Sequence, residues 1–254
     1  LKSNYDLSKL YILVSIDGPK NQNDKLNSES IYQRSHEYFG KFEKFYINKY
    51  ESNLGLRRHI LLSVTKAFEK VDALIVLEDD IVIYDNCISE TIECFKTFYD
   101  DDSIGHINFI NEKLSRNEFV ISKRINLLKG SSFTCWGWGT WKHKWRYPSI
   151  DRNSLTQFRF SERLIFNHFG KVNHISHLYS NILGENNTWS VYRKFDLFVK
   201  LGSGSITFKY SKAKNIGFDG SGTNDISFMV NQENSFIKFL KSLILIVCPP
   251  YLGL

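Results

Sequence analysis

Ala73-Leu74-Ile75-Val76-Leu77-Glu78-Asp79-Asp80 sets the terms for the rest of the chain. Five apolar residues run straight into three carboxylates. The apolar run has no polar face, so it predicts a strand buried on both sides, as in a sheet covered by helices. Three acids at the end of such a strand repel one another and lose solvation, which is costly without a partner. A hard divalent cation with oxygen ligands relieves that cost. Ligands of open α/β sheets also gather at the carboxyl ends of strands. The competing interpretation is an acidic turn that only solubilises a strand end.

The flanking pattern favours a ligand site. Leu10 to Ile16 is apolar and β-branched and stops at Asp17-Gly18-Pro19-Lys20, a strong turn signal. Asp17 suits two roles equally. It can accept hydrogen bonds from a base or ribose, or be a turn aspartate bonded to its own backbone. Asn21 to Ser30 reads as a polar loop and Ile31 to Phe42 as a helix; Phe45-Tyr46-Ile47 reads as a short strand. From Leu56, the positions Ile60, Leu61, Val64, Ala67 and Phe68 repeat at helical spacing. Arg57 and Arg58 fall in that helix's first turn, where the macrodipole disfavours cations, which hints at a nearby anion. After the acids, Ile88, Ile92, Phe95 and Tyr99 mark another amphipathic helix, and Ile104 to Ile110 another strand. The alternation over residues 10 to 110 predicts an α/β fold with a mixed, mostly parallel sheet flanked by helices.

Beyond residue 125 the texture changes. Phe133-Thr134-Cys135-Trp136-Gly137-Trp138-Gly139-Thr140-Trp141 interleaves tryptophan with glycine, and Trp145 follows. Trp136 to Trp138 reads as a strand and Trp141 to Trp145 as a helical turn. Flat aromatic faces suit the C–H faces of sugar rings; the same residues could equally form core. Residues 155 to 169 read as helical. Phe236 to Cys248 is apolar with Lys238 and Lys241 and stops at Pro249-Pro250. Its spacing reads as a helix too short to span a bilayer, suited either to packing on the domain or to lying in a membrane interface.

Composition narrows the classes. The 254 residues are 42% hydrophobic and 24% charged, which fits a globular core, and a net charge of +6 favours anionic partners. Cys87, Cys94, Cys135 and Cys248 lack CxxC spacing, which argues against zinc and a disulfide framework and fits a reducing compartment. Cys87 and Cys94 are two helical turns apart on one helix face. His174-x-x-His177 has no third ligand nearby and reads as surface or core. No apolar run is long enough to be read as a membrane span, and no nucleic-acid motif is present. Asn215 to Thr223 is glycine-rich without the spacing of a standard phosphate loop.

Taken in order, Asp17-Gly18-Pro19-Lys20, Asn53-x-Gly55-Leu56, Leu77-Glu78-Asp79-Asp80, Trp136 to Trp141 and Ile216-Gly217-Phe218-Asp219-Gly220-Ser221-Gly222-Thr223 resemble bacterial sugar-nucleotide glycosyltransferases of the GT-A fold. Those enzymes are similar in turn to N-acetylglucosaminyltransferase I. The resemblance covers roughly residues 8 to 224. It implies a catalytic domain over 1–230, with a nucleotide and metal half (1–125) and an acceptor half (126–230), followed by an apolar-basic tail (231–254).

The resemblance also implies roles. Asp80 would bind Mn²⁺ or Mg²⁺, Asp79 would meet the ribose, Glu78 would hold that geometry and Asp17 would contact the base. Trp136, Trp138 and Trp189 would line the sugar or acceptor pocket. The donor would be a nucleotide-sugar and the acceptor a saccharide or a lipid-linked one, in surface-polysaccharide or lipopolysaccharide synthesis. The expected location is the cytoplasm, with the tail reaching the inner face of the plasma membrane. Two features depart from the pattern. The family's usual first strand has no counterpart here, Leu1 starting after it, which would expose a sheet edge. Asn186 and Asn187 stand where relatives carry an acid before the tryptophan aligned with Trp189, which leaves Glu185 as the substitute catalytic base. Two other classes compete: a catalytically decayed nucleotide- or saccharide-binding relative, and a metal-dependent phosphohydrolase using the three acids.

Overall fold

The computed structural model describes residues 5–111, 119–122, 127–130, 133–146, 189–217 and 243–248. Among them the chain is an α/β protein with one central mixed sheet flanked by helices. Tyr11–Ile16 (β1), Gln22–Phe39 (α1), Phe45–Lys49 (β2), Leu56–Ala67 (α2) and Ala73–Glu78 (β3) follow in sequence. Next come Ile81–Ile83 (β4), Cys87–Thr97 (α3), Ile104–Asn108 (β5), Phe119–Ser122 (β6), Leu127–Gly130 (β7) and Trp138–Trp141 (β8). Trp189–Phe195 (α4), Gly204–Phe208 (β9), Ala213–Asn215 (β10) and Leu243–Cys248 (β11) complete the set.

β3 is buried on both faces, as its unbroken apolar run requires. Ala73, Ile75 and Leu77 pack with Ile88, Ile92 and Phe95 of α3 on one side. Leu74 and Val76 pack on the other with Ile60, Leu61 and Val64 of α2 and with Trp138, Trp145 and Trp189. Alternation along the strand assigns each residue its face. Cys87 and Cys94 share the buried face of α3, as their spacing predicts.

The sheet order is β2-β1-β11-β3-β8-β5-β9-β7-β6. Only β1–β2 and β5–β9 pair in parallel; the other six pairings are antiparallel. The expectation of a mostly parallel sheet is therefore corrected. β1, β2, β3 and β5 do run the same way, as their helical crossovers demand. What breaks the parallel pattern is the entry of later strands. β8 inserts between β3 and β5, and β11 between β1 and β3, each antiparallel to both neighbours.

β11 also corrects the helical assignment of Phe236 to Cys248 over Leu243–Cys248. Tyr11 to Ile16 pair residue by residue with Cys248 to Leu243. β1 is consequently an interior strand rather than the exposed edge expected of a chain lacking a first strand. The short apolar run could satisfy helical spacing and strand burial at once, and the open flanks of β1 and β3 decide for the strand. This segment of the 231–254 tail thus belongs to the sheet.

α1 starts at Gln22, well before its expected first turn at Ile31, because Asn21 caps it: Asn21 Oδ1 accepts from Asp24 N at 2.9 Å. Its buried residues are Ser28, Ile31 and Ser35, so no apolar position marks the turns before Ile31. Among the described residues no helix is long and apolar enough to cross a membrane. The expected helix over 155 to 169, the His174–His177 pair and Glu185 lie outside the described residues.

Candidate functional site

The co-directional strands β1 and β3 end at one edge of the sheet, β1 in Asp17 and β3 in Glu78-Asp79-Asp80. With β11 between them, the two lips stand about 9.5 Å apart, two strand spacings. α2 begins at the same edge, with Arg57 and Arg58 in its first turn.

Glu78 is strongly perturbed. Its Oε1 is enclosed and has no hydrogen-bond partner. Burial, then the neighbouring Asp80 and Asp79, raise its pKa to about 8, against a hydrogen bond with Trp189 that lowers it. Glu78 therefore carries a proton at neutral pH in the ligand-free protein. Asp80 ends the turn into β4, where its carbonyl accepts from Ile216 N at 2.8 Å. β4 pairs with β10 from Ile81↔Asn215 to Ile83↔Ala213, and this ribbon delivers Ile216-Gly217 to the acids. A Cβ on Gly217 would lie 2.6 Å from Asp80 Oδ2, so a larger residue here would displace that carboxylate. Two motifs from distant parts of the sequence thus meet at one lip. Phe218 to Thr223 lie outside the described residues.

The other lip is built differently. Asp17 is buried, and its carboxylate accepts from four donors of its own chain. These are Gly18 N at 2.8 Å, Leu54 N at 2.8 Å, Gly55 N at 3.1 Å and Asn53 Nδ2 at 3.1 Å. Of the two roles open from sequence, the structure displays the second in extended form: Asp17 pins the 53–55 loop and caps α2 from a neighbouring strand. No side chain of the loop itself caps that helix. Gly18 has to be glycine, because a Cβ there would stand 2.1 Å from the Ser52 carbonyl carbon.

Beneath this lip lies a polar cluster that no spacing announces. Ser15 Oγ is 3.0 Å from His59 Nε2 and 2.7 Å from Ser63 Oγ. Burial lowers the His59 pKa to about 4, offset in part by Asp17. Ser15 is fully buried and Asp17 is committed to the loop, so the trio is structural rather than a nucleophile relay.

The tryptophans divide. Trp138, 0% exposed, and Trp189, 2% exposed, meet at a tilt in the core with centroids 5.3 Å apart, so the structure packs inward two side chains expected to line a pocket. The Gly-Trp alternation is explained by packing: a Cβ on Gly139 would meet the Phe95 ring at 2.9 Å. Trp136 is partly exposed and packs on the α3-side core. Trp189 remains tied to the acids through its bond with Glu78.

α4, which carries Trp189, is clamped by residues that patterning missed. Arg193 is fully buried and donates to Asp196 Oδ2 at 3.1 Å, Gly105 O and Thr140 Oγ1 at 3.2 Å, and Lys144 O at 3.1 Å. Arg57 donates to Tyr192 Oη at 2.8 Å and lies 4.8 Å above its ring, which accounts for one first-turn cation without an anion. Arg58 is exposed. Among the described residues no three His, Cys, Asp or Glu side chains converge as a metal cage. The side chains at this lip, Asp79 and Asp80 beside Glu78, offer hard oxygens, the donor class that Mn²⁺ or Mg²⁺ takes together with a ligand's oxygens. No protein-family model matches the chain, and no curated protein matches it.

Proposed function

We propose that the chain is a metal-dependent glycosyltransferase of GT-A type that moves a sugar from a nucleotide-sugar to a saccharide or lipid-linked acceptor, with inversion. The observation that carries this is the meeting of Glu78-Asp79-Asp80 with Ile216-Gly217 at the carboxyl edge of the sheet. Asp80 would hold Mn²⁺ or Mg²⁺, which when bound stabilises the charge growing on the departing diphosphate. Asp79 would orient the ribose. Glu78, protonated when the site is empty, would support that geometry as an acceptor once a cation lowers its pKa. Asp17 contributes by fixing the 53–55 loop and the start of α2, so any contact with the base would fall to that loop. Glu185 would accept the acceptor hydroxyl's proton as attack proceeds. Trp136, the partly exposed one of the three, would meet a sugar face, and Trp138 and Trp189 would support the wall from behind. Surface-polysaccharide or lipopolysaccharide synthesis in the cytoplasm, at the inner membrane face, is the setting this activity would fit.

Asn186 and Asn187 support a second reading, a relative that binds nucleotide-sugar without turnover. Purified protein with Mn²⁺ and a panel of UDP-, GDP- and dTDP-sugars separates the cases. Acceptor-dependent nucleotide release supports transfer, and binding without release supports the decayed relative. Phosphate release without an acceptor would point to a phosphohydrolase.

A further inference from the structure

β1 and β3 carry the two lips but do not touch as strands. Every backbone link between them passes through β11, which pairs with all six residues of β1 and with Ile75 to Glu78 of β3. The ends of β11 are placed to matter. Leu243 lies opposite Ile16, the residue before Asp17, and Ile244 lies opposite Glu78. The chain therefore leaves the acid lip at Gly217, against Asp80, and returns to it at Ile244. Besides β11, α2 packs across the gap, its apolar face covering Leu13 and Leu74 together.

The strands on either side of β11 assemble from nearer contacts. β1, α1 and β2 follow one another directly and form one unit, and β3 pairs with β8, which joins β5. β11 reaches its place from the far end of the chain, the longest loop closure in the sheet. Pairing across so long a sequence separation closes the largest loop in the sheet and costs the most chain entropy to hold.

We propose that β11 is a detachable cross-tie. Its insertion sets the spacing of the two lips, and its release parts the sheet between β1 and β3 while the β8-β5-β9 region stays folded. Site geometry and occupancy of this slot are then linked, and whatever stabilises one stabilises the other. The inference concerns the sheet alone, so it stands or fails separately from the glycosyltransferase assignment.

Residue-resolved amide hydrogen exchange on the full chain, without ligand and in low denaturant, tests it. In an antiparallel ladder alternate amides face opposite neighbours. The amides of β1 and β3 that face β11 are expected to lose protection together with Leu243–Cys248. Those facing β2 and β8, and those of Ile104–Asn108 and Gly204–Phe208, stay protected. Ile246→Pro removes a ladder donor and is expected to speed exchange of the first group about tenfold or more, leaving the last group unchanged. If all these strands exchange in one global step, in the wild type and in the variant alike, β11 is an ordinary core strand and the proposal is overturned. It is overturned equally if β1 and β3 keep full protection when Leu243–Cys248 opens.

Discussion

Replacing Asp17 separates a structural carboxylate from a ligand-facing one. The carboxylate at the end of β1 serves Leu54 N, Gly55 N and Asn53 Nδ2 of the loop before α2, with Gly18 N as a fourth donor. Asp17→Ala takes the acceptor from Gly18 N, Leu54 N and Gly55 N, while Asn53 Nδ2 keeps the Gly18 carbonyl at 2.8 Å. It also removes a negative charge from the start of α2, where the dipole and Arg57 and Arg58 are all positive. One buried donor left unmet costs about 1–3 kcal/mol; with partial rescue by water the total is about 3 kcal/mol. In a chain of this size that lowers the melting temperature by about 10 °C. Asp17→Asn keeps one oxygen but turns an amide toward a donor, so about half the loss is expected. The assay is urea unfolding of both variants beside the wild type, without ligand. A loss below about 0.5 kcal/mol in Asp17→Ala would refute the capping role. Loss of nucleotide binding at full stability would return Asp17 to the base-contact role its position suggested.

The other predictions concern protons and buried charge. Glu78 has a folded pKa of about 8 against 4.5 ordinarily, so its contribution to stability is fully present below pH 4.5 and is lost as pH rises through 8. Glu78→Gln should therefore stabilise the chelator-treated protein by about 3 kcal/mol at pH 7 and hardly at all at pH 4.5, by thermal melts. An equal shift at both pH values would contradict the buried-acid picture. Burial pushes His59 down to about 4, and burial with the Arg193 charge pushes the buried His106 of β5, 3.1 Å from the Thr134 carbonyl, down to about 3. Both lie below the ordinary 6.5, so their contribution is present above pH 6.5 and lost as pH falls toward 4. Urea midpoints should drop between pH 6.5 and 5, and His59→Asn should flatten that slope; an unchanged slope removes His59 from the account. Arg193→Met strips the guanidinium from Asp196 and three other acceptors and is expected to cost about 4 kcal/mol, with Arg193→Lys recovering only part. Full recovery by lysine would mean that charge, not the fork of donors, holds α4.

Much of the fold could be read along the chain because its signals are local. The double burial of β3, the faces of α2 and α3, and the strand–helix alternation to residue 108 all follow from apolar spacing over a few turns. What could not be read was set by pairing at long range. Nothing in Trp138 to Trp141 or Leu243 to Cys248 states that each will enter antiparallel between two co-directional strands. The turns of α1 before Ile31 escaped notice because they rest on the Asn21 cap rather than on an apolar stripe.

The site divides in the same way. The acids stood out because three carboxylates after a buried run are costly without a partner. Asp17 was ambiguous for a physical reason: a turn aspartate and a ligand-binding one look alike until its donors are known. The tryptophans misled because large aromatics beside glycine suit a sugar wall and a close-packed core equally well. Arg193 and the Ser15–His59–Ser63 cluster carry no pattern at all; a signal for Arg193 existed only in its i, i+3 spacing to Asp196.

Calorimetric titration of a UDP-sugar into the wild type and Asp80→Ala, each with and without Mn²⁺, tests the central claim most directly. The account predicts Mn²⁺-dependent binding in the wild type and its loss in the variant, with the melting curve of the variant intact. Equal Mn²⁺-dependent affinity in both proteins would contradict the metal role assigned to the acid lip.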